Sequence, residues 1–366
     1  MAKLEDVCDI LDSRRIPITA INRNPGPYPY YGANGVQDYV DDYIFDDELV
    51  LLAEDGGNFG SREKPIAYRV SGKCWVNNHA HVLRPKSELD VDYLCYSLMF
   101  YDVSSLVNGA TRQKLTQADM RKMHIPMRSM EEQRCIVSQL GRVSHMILSR
   151  KQQLIKLDDL IKARFVELFG DPMVNPKGYG IRRYGELFEL NAGGTPSKTK
   201  PEYWENGTIS WIGSNLCQNV ILYENDGKYI SQEGYDNSSA RLFPIDTVLI
   251  ALVGATIGKT ALLKFETSTN QNVLGVRHIA ESGYNPMFVY YYTQFLYQKF
   301  MNIGDGGFNM ASKGFVSELP MYDIDLSVQN EFAAFAEQVD KSKVAVQKAL
   351  DEAQSLFDSL MQEYFG

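Results

Sequence analysis

Two stretches of the chain, QRCIVSQLGRVSHMILSRKQQLIKLDDLIKARFVELFG at 133–170 and QNEFAAFAEQVDKSKVAVQKALDEAQSLFDSLMQEYFG at 329–366, align without gaps at a constant offset of 196 residues. In both stretches apolar residues recur every three or four positions, which is typical of one face of a long helix. The coinciding positions are Gln133/Gln329, Val143/Val339, Leu154/Leu350, Leu160/Leu356, Glu167/Glu363, Phe169/Phe365 and Gly170/Gly366. The sequence therefore predicts two similar long helices.

A helix of about 38 residues is about 57 Å long, which is more than one compact domain can bury. We expect the two apolar faces to bury each other as an antiparallel coiled coil, because a domain separates the helices along the chain. The expected seam residues are Leu140, Val143, Leu154, Leu157, Ile161, Val339, Leu350, Ala353 and Phe357, with Leu160 beside them. The alternative is two unrelated amphipathic helices, each packed on its own domain.

The segments that precede the helices also resemble each other. ELVLLAEDGGNFGS at 48–61 corresponds to DTVLIALVGATIGK at 246–259, and in each an apolar strand runs into a glycine-rich turn. VNNHAHVLRP at 76–85 aligns loosely with TNQNVLGVRH at 269–278. We therefore expect an α/β fold in which two globular domains alternate with two long helices, as a pseudo-twofold internal repeat. The predicted segments are 1–128 for the first domain, 129–170 for the first helix, 171–326 for the second domain and 327–366 for the second helix.

Composition limits the class of protein. With 44% hydrophobic and 23% charged residues, the 366-residue chain should fold into sizeable cores. It has no apolar run of about 20 residues and no signal peptide, so we expect a cytoplasmic protein without membrane contact. Five cysteines that never form C-x-x-C suggest neither a disulfide framework nor a zinc site. A net charge of −9 predicts weak DNA binding by the chain alone.

The turn GATIGKT at 254–260 raises the possibility of an ATP-hydrolysing enzyme. A phosphate-binding P-loop has four residues between its first glycine and the Gly-Lys-Thr, whereas this turn has three. The corresponding turn of the first repeat lacks Lys-Thr altogether. A structural turn is therefore the favoured interpretation.

The layout resembles the specificity subunit of type I restriction-modification systems. NAGGTPSKTKPEYWENGTISWIGSNLCQ at 191–218, VGATIGKTALL at 253–263 and TNQNVLGVR at 269–277 are similar to a target-recognition domain of that family. YPYYGANGVQDYVDDYIFDDELVLLAEDGGNF at 28–59 resembles a variant of its first domain. The resemblance covers almost the whole chain and both repeats.

The resemblance implies a DNA-reading subunit that is not itself an enzyme. In the family, each target-recognition domain reads one half of a split, asymmetric site on double-stranded DNA, and the helices act as a spacer and docking surface. Two modification subunits, which bind S-adenosylmethionine, clamp the complex on DNA. Restriction subunits, which are ATP-dependent translocases and nucleases, join for cleavage. An orphan DNA-binding or anti-restriction module on the same scaffold is the alternative.

A scan for catalytic motifs agrees with that interpretation. The chain has neither an Asn-Pro-Pro-aromatic motif for adenine methylation nor a Glu-x-Lys nuclease motif. His79 and His81 alternate along a predicted strand, but no matching ligand spacing lies nearby in the sequence. We expect no metal, and a structural or DNA-facing role for the two histidines. The tyrosines at 290–292 favour core packing because their context is helical.

Candidate DNA-contacting residues are basic, polar or aromatic residues near glycine turns or in local basic clusters. The segment at 30–34 is expected to be a loop, and its tyrosines either face DNA or pack inside. The candidates in the first domain are Arg14, Arg15, Tyr30, Tyr31, Asn58, Arg62, Arg112 and Lys114. Those in the second domain are Thr195, Ser197, Lys198, Lys200, Lys259 and Lys313.

Overall fold

The chain folds into two compact units. The first unit comprises Met1–Gln152 with Gln347–Gly366, and the second comprises Gln153–Val346. Each unit combines helices and sheets, so the predicted α/β class is confirmed. The computed structural model describes residues 1–61, 63–109, 113–278, 283–303 and 310–366.

The first unit is built around a six-stranded sheet of order β2-β7-β5-β6-β3-β4. Its strands are β1 Ala2–Lys3, β2 Cys8–Ile10, β3 Pro25–Gly32, β4 Gly35–Val40, β5 Phe45–Ala53, β6 Ala67–Val76, β7 Ala80–Pro85, β8 Val107–Asn108, β9 Lys114–Leu115 and β10 His124–Ile125. Its short helices are α1 Leu4–Val7, α2 Val91–Met99 and α3 Gln117–Arg121.

The central strand β5 is buried on both faces, which explains its continuous apolar sequence. Val50 and Leu52 pack in the same cluster as Leu94 of α2. Leu49 and Leu51 point to the opposite face and pack in a separate cluster, as the two-residue period of a strand requires.

The expected loop at 30–34 is wrong in its first part. Residues 25–32 form β3, which pairs antiparallel with β4 and parallel with β6. The turn begins only after Gly32, and Gly35 takes a φ of +106° there. The Tyr-Pro-Tyr segment at 28–30, directly before Tyr31, therefore belongs to a sheet, where aromatic side chains pack well.

The first long helix, α4, runs from Met130 to Phe169 and leads into the second unit. The strands of that unit are β11 Ile181–Arg183, β12 Phe188–Ala192, β13 Ile209–Ile212, β14 Val220–Leu222, β15 Tyr229–Ile230, β16 Leu242–Phe243, β17 Val248–Ala251, β18 Thr260–Leu263, β19 Thr267–Thr269, β20 Val273–His278 and β21 Pro320–Tyr322. The remaining helices are α5 Tyr184–Leu187, α6 Gln232–Asp236, α7 Pro286–Phe295, α8 Tyr297–Met301, α9 Lys313–Ser317 and the second long helix, α10 Leu326–Phe365. Neither these helices nor the others in the described ranges are long and apolar enough to cross a membrane.

The sheets of the second unit have the orders β12-β20-β17-β18-β14 and β15-β13-β19-β16. Helix α7 packs on the first of these sheets, and the tyrosines at 290–292 are at most 8% exposed. Their predicted core packing is confirmed.

Corresponding strands in the two units make the same pairings. Strand β7 pairs antiparallel with β2 and β5, and β20 pairs antiparallel with β12 and β17. The ion pair Asp9–Arg84, at 3.0 Å, has its counterpart in Glu189–Arg277, at 3.4 Å. Each unit also contains a parallel pair, β3 with β6 and β13 with β19.

Each long helix is tied to its unit by a fully buried glutamine. Gln133 Oε1 accepts a hydrogen bond from the backbone N–H of Asp90, the N-cap of α2, at 2.8 Å. Its Nε2 donates to the carbonyls of Glu88 and Arg128 at 3.0 and 2.9 Å. All polar atoms of this side chain therefore have partners inside the protein.

The same arrangement recurs in the second unit. Gln329 Oε1 accepts from the N–H of Asn285, the N-cap of α7, at 2.9 Å. Its Nε2 donates to the carbonyls of Ile324 and Gly283 at 2.7 and 3.3 Å. Glutamine occurs at the equivalent position of both long helices because each side chain accepts a hydrogen bond from the N-cap N–H of another helix and donates to two carbonyls.

Most of the expected seam residues are buried, and within each unit both long helices contribute to one hydrophobic cluster. Leu154 and Leu157 are partly buried, whereas the buried ones are Leu140, Val143, Ile161, Val339, Leu350, Ala353 and Phe357. In the second unit, Arg164 pairs with Glu331 at 2.7 Å and Lys343 pairs with Asp158 at 2.6 Å. In the first unit, the Tyr364 hydroxyl donates to Gln139 at 2.6 Å.

The expectation for Leu160 is wrong. Its side chain is 47% exposed, and that of its counterpart Leu356 is 46% exposed. Leu154, Leu157 and Ile161 follow the steps of three and four that keep one helix face, whereas Leu160 lies one residue, about 100°, away from Ile161.

Candidate nucleic-acid interface

In the first unit, polar side chains gather at one edge of the sheet, where three connections meet. These are the β3–β4 turn, the segment after β5 and the segment before β7. Asn34 Nδ2 donates to the Gly56 carbonyl at 3.0 Å, and His79 Nδ1 lies 2.6 Å from Asp55 Oδ1. Together with Gln37 these residues line an open cleft of about 480 Å³. Amide, imidazole and carboxylate groups thus face the same space.

A rigid turn at Asn77–His79 forms one wall of this cleft. The Asn77 N–H donates to the Tyr31 carbonyl at 3.0 Å, and Asn77 Oδ1 accepts from the His79 N–H at 2.8 Å. The Asn77 amide also donates to Gln37 Oε1 at 3.1 Å. Asn78, the middle residue, is exposed and lines the cleft. Asn77 therefore fixes the backbone of the turn, and Asn78 presents its amide outward.

The second unit has the same turn at Asn270–Asn272. The Asn270 N–H donates to the Ile212 carbonyl at 3.1 Å, and Asn270 Oδ1 accepts from the Asn272 N–H at 3.0 Å. The middle residue, Gln271, is again an exposed amide, and its Oε1 accepts from Thr195 Oγ1 at 2.5 Å. The two turns follow the parallel strand pairs in the same way, because Tyr31 and Ile212 each pair with the residue preceding the turn.

Thr195 reaches this turn because two glycines bring its backbone close to neighbouring segments. A Cβ on Gly193 would lie 2.4 Å from the Thr269 carbonyl oxygen, and a Cβ on Gly194 would lie 2.4 Å from that of Ser239. Only glycine avoids these clashes. The Gly-Gly of the predicted target-recognition motif is therefore a close-packing element.

The glycine turn at 254–260 does not form a phosphate cradle. The N–H groups of Ile257, Gly258 and Lys259 donate to the carbonyls of Gly254, Ala251 and Thr256 at 2.8–3.1 Å. A P-loop needs such groups to point at the phosphate. Lys259 Nζ instead donates to Gln218 Oε1 at 2.7 Å, which favours the structural interpretation of this turn.

Arg15 is placed differently from the sequence expectation of a DNA contact. Its side chain is only 13% exposed, and it lies 2.5 Å from Glu54 and 3.5 Å from Asp12. It also donates to the Ala80 carbonyl at 2.8 Å. Because these partners are inside the unit, Arg15 neutralises buried carboxylates.

Tyr30 is likewise an interior residue. It is 1% exposed, its hydroxyl accepts from the Ile18 N–H at 3.0 Å, and the Arg23 guanidinium lies 4.2 Å from the ring centroid. The DNA-facing alternative is therefore wrong for Tyr30. Tyr31 is half-buried, with its ring 5.8 Å from that of Tyr68.

The other first-domain candidates are dispersed. Arg14 is exposed, packs over Phe45 and lies 3.9 Å from Asp47. Asn58 is half-buried beside the turn that follows β3. Lys114 is exposed but pairs with Glu54 at 3.0 Å. Arg62 and Arg112 lie outside the described residues.

In the second unit, the candidates besides Thr195 and Lys259 are exposed. Ser197 shares a hydrogen bond with Thr199 at 2.8 Å, and Lys200 Nζ donates to the Tyr203 hydroxyl at 2.8 Å. Lys198 and Lys313 are both solvent-exposed. Two of the predicted residues lie beside amide side chains, Thr195 beside Gln271 and Lys259 beside Gln218.

Asp12, Glu54 and His81 form a buried charge network in the first unit. Potential ligand atoms of these residues lie within 4.8 Å of one another, so His81 has neighbours that sequence spacing did not reveal. His81 Nδ1 lies 2.6 Å from Asp12 and Nε2 lies 2.9 Å from the Leu115 carbonyl. The Leu115 carbonyl only accepts hydrogen bonds, so Nε2 donates to it and Nδ1 faces the Asp12 carboxylate.

The acidic members of this network are held in the charged form. Burial raises the pKa of Asp12, but hydrogen bonds from His81 and the Val82 N–H outweigh it, and the pKa is lowered overall. Burial likewise opposes ionisation of Glu54, and its contacts with Arg15 and Lys114 lower its pKa. The network is thus an internally neutralised structural element.

Sequence reasoning missed the amide residues of the two edges, above all Asn78, Gln271 and Gln37. The alignment of VNNHAHVLRP with TNQNVLGVRH contained the signal, because it pairs Asn78 with Gln271. Asn and Gln read the adenine edge in the major groove, as Arg and Lys read guanine, so exposed amides are candidates beside the basic residues.

Comparison with known proteins identifies relatives over most of the chain. A family model for the type I restriction modification DNA specificity domain matches residues 1–158 and 176–353. A putative type I restriction enzyme specificity subunit from Haemophilus influenzae is 27% identical over 273 residues, which are 74% of this chain and 69% of that protein. The type I restriction enzyme EcoR124I/EcoR124II specificity subunit from Escherichia coli is 29% identical over 147 residues, which are 35% of this chain and 36% of that protein.

Solved structures share the fold. The crystal structure of a type I restriction-modification system S subunit from M. genitalium has a TM-score of 0.63 at 15% identity, covering 100% of this chain and 95% of that chain. A structure described for complex assembly and conformational transition of the type I R-M system gives a TM-score of 0.55 at 16% identity, covering 100% of this chain and 96% of that chain.

Proposed function

Because the chain belongs to the type I restriction modification DNA specificity family, we propose that it is the DNA-recognition subunit of a type I restriction-modification complex in which each unit reads one half of a bipartite, asymmetric site. The observation that carries this proposal is the repeated edge. Both units hold an exposed amide on a turn with the same hydrogen bonds, at Asn78 and at Gln271. The surroundings of the two amides differ, which is what two readers of different base sequences require.

The charge of the chain supports a sharing of the DNA phosphate contacts between its two units and their partner subunits. The net charge of −9 opposes tight binding of DNA phosphates by the chain alone. Lys259 and the exposed Lys198 are suited to phosphate contacts in the second unit. Most of the DNA backbone contacts then come from two modification subunits that clamp the complex on double-stranded DNA.

The long helices act in this proposal as the spacer. Each has 40 residues, or about 60 Å of helix. We propose that they pair along their length as an antiparallel coiled coil and that the chain is a pseudo-twofold repeat with segments 1–128, 129–170, 171–326 and 327–366. The ion pairs Arg164–Glu331 and Asp158–Lys343 support this, because the partners follow each other in opposite directions along the two helices.

The outer faces of these helices also suit a role in docking the modification subunits. Leu148, Ile155 and Val344 are 55%, 61% and 62% exposed. Large apolar residues on a helix surface are suited to protein contacts. Their positions outside the seam leave them available without unpairing the helices.

Chemistry belongs, in this proposal, to the partner subunits. Modification subunits bind S-adenosylmethionine and transfer the methyl group, and restriction subunits supply ATP-dependent translocation and cleavage. The internally satisfied N–H groups of the turn at 254–260 support the absence of nucleotide hydrolysis from this chain.

Methylation sequencing tests the proposal. The chain is co-expressed with modification subunits, and modified adenines in the host DNA are mapped. A split motif should appear only when the chain is present, and replacing residues 1–128 with the corresponding domain of a relative should alter one half of it. Changes in both halves would contradict modular reading, and no chain-dependent motif would favour an orphan or anti-restriction module.

A further inference from the structure

Two equivalent positions, 78 and 271, combine a fixed backbone with an exposed amide. Three hydrogen bonds hold the turn at 77–79. The Asn77 N–H donates to the Tyr31 carbonyl, the His79 N–H donates to Asn77 Oδ1, and the Glu54 N–H donates to the His79 carbonyl at 2.9 Å. The middle side chain makes no hydrogen bond to any part of the chain that the structure describes. Asn78 can therefore bind a ligand without disturbing the turn.

The second turn has the same three supports. Its third hydrogen bond runs from the Leu252 N–H to the Asn272 carbonyl at 2.8 Å. Gln271 is additionally oriented by Thr195, which occupies one of the two lone pairs of Oε1. The Gln271 amide N–H₂ and the second Oε1 lone pair stay available to a ligand.

A carboxamide offers a donor and an acceptor side by side. In the DNA major groove, adenine presents the complementary N7 acceptor and N6 donor, and Asn and Gln bind this edge with two hydrogen bonds. A side chain on a rigid turn binds such an edge with little loss of conformational freedom. Asn78 and Gln271 meet both requirements, because each is an exposed carboxamide on a turn held by hydrogen bonds.

We propose that Asn78 and Gln271 are the equivalent base-reading residues of the two half-sites, each making a bidentate contact with an adenine in the major groove. This inference rests on the proposed function and names the residues that carry its specificity. Asn77 and Asn270 hold the turns, Thr195 orients Gln271, and Gln37 beside Asn77 shapes the first cleft. In this proposal basic residues contact phosphates and position the units, and they do not select bases.

The test uses the full chain assembled with its modification subunits, and measures methylation of a DNA library in which every position of the motif is randomised. With Asn78→Ala, discrimination should fall about ten- to a hundredfold at one position of one half-site, as expected for loss of a bidentate contact. Gln271→Ala should have the same effect in the other half-site. Each variant is the matched control for the other, because both remove one exposed amide from the same kind of turn.

Asn78→Asp supplies a second, stricter variant. Its side chain has the same shape but only accepts hydrogen bonds, so preference at the affected position should move from adenine toward cytosine, whose N4 donates. The inference is overturned if both alanine variants keep the wild-type preference at every position while the wild-type chain specifies a split motif. If the wild-type chain specifies no motif, the proposed function itself fails and the inference fails with it.

Discussion

The buried glutamine at the start of α4 allows a quantitative test of how the first unit is attached to this helix. Gln133 is fully buried and satisfies one backbone N–H and two carbonyls, at 2.8, 3.0 and 2.9 Å. Gln133→Ala removes all three hydrogen bonds. At about 1 kcal/mol for each net hydrogen bond, the free energy of unfolding of the first unit should fall by about 3 kcal/mol.

For a unit of this size, that change corresponds to a decrease in Tm of about 6–12 °C. Gln152, on the same helix and solvent-exposed, supplies the control Gln152→Ala, which should change stability by less than about 0.5 kcal/mol. Urea unfolding followed by circular dichroism measures the change. Hydrogen–deuterium exchange should show that the loss of protection is centred on α2, whose N-cap Asp90 loses its partner.

The variant Gln133→Glu tests the donor side separately. It replaces the N–H₂ group that faces two carbonyl oxygens with a group that donates only when protonated. Its pKa should therefore be raised in the folded state, so its stability deficit relative to wild type should be smallest near pH 4 and should increase as the pH rises. The reasoning is refuted if Gln133→Ala is as stable as Gln152→Ala, or if the Gln133→Glu deficit is the same at pH 4 and pH 7.

Three further predictions concern charge, acid stability and spacing. Lys259→Ala should weaken DNA binding of the assembled complex similarly for all sequences. The slope of the logarithm of the binding constant against the logarithm of salt concentration should fall in magnitude by about 1, measured by fluorescence anisotropy between 50 and 200 mM salt. An unchanged slope would show that Lys259 contacts no phosphate. Folding lowers the pKa values of Asp12 and Glu54, so the stability that these carboxylates contribute is present above about pH 4 and is lost as the pH falls further. Asp12→Asn should therefore be less stable than wild type at pH 7 and closer to wild type at pH 3. Urea titrations at each pH measure this difference. Inserting seven residues after Lys156 and seven after Glu352 should add about 10 Å, or about three base pairs, to the spacer of the methylated motif, and an unaltered spacer would mean that the helices do not set it.

The long helices could be predicted because their signal is local. Steps of three and four residues follow from helix geometry, so residues such as Leu140 and Ile161 are recognised without knowledge of their partners. The same rule, applied strictly, excludes Leu160. The repeat at an offset of 196 residues also revealed Gln133 and Gln329, although only the structure shows that each binds the N-cap of a distant helix.

The DNA-facing candidates were harder to predict because exposure depends on tertiary contacts. Arg15 meets Glu54 across 39 residues of sequence, and Tyr30 meets Ile18 across 12. Neither partnership has a periodic signal, so residue type alone suggested a surface role. The turn at Asn270 likewise depends on the Ile212 carbonyl of a strand that precedes it by 58 residues.

With the base-reading role proposed for Asn78 and Gln271, the two edges separate stability from recognition at neighbouring positions. Asn77 and Asn270 hold their turns through their side-chain Oδ1 atoms and their backbone N–H groups, and these hydrogen bonds do not involve the middle side chain. Substitution at position 78 or 271 therefore leaves every one of those bonds in place, so its effect on folding should be small. In the proposed role, such a scaffold acquires a new target base by one exposed substitution. In contrast, if the recognition side chain also held the turn, each substitution that changed the specificity would lower the stability of the protein.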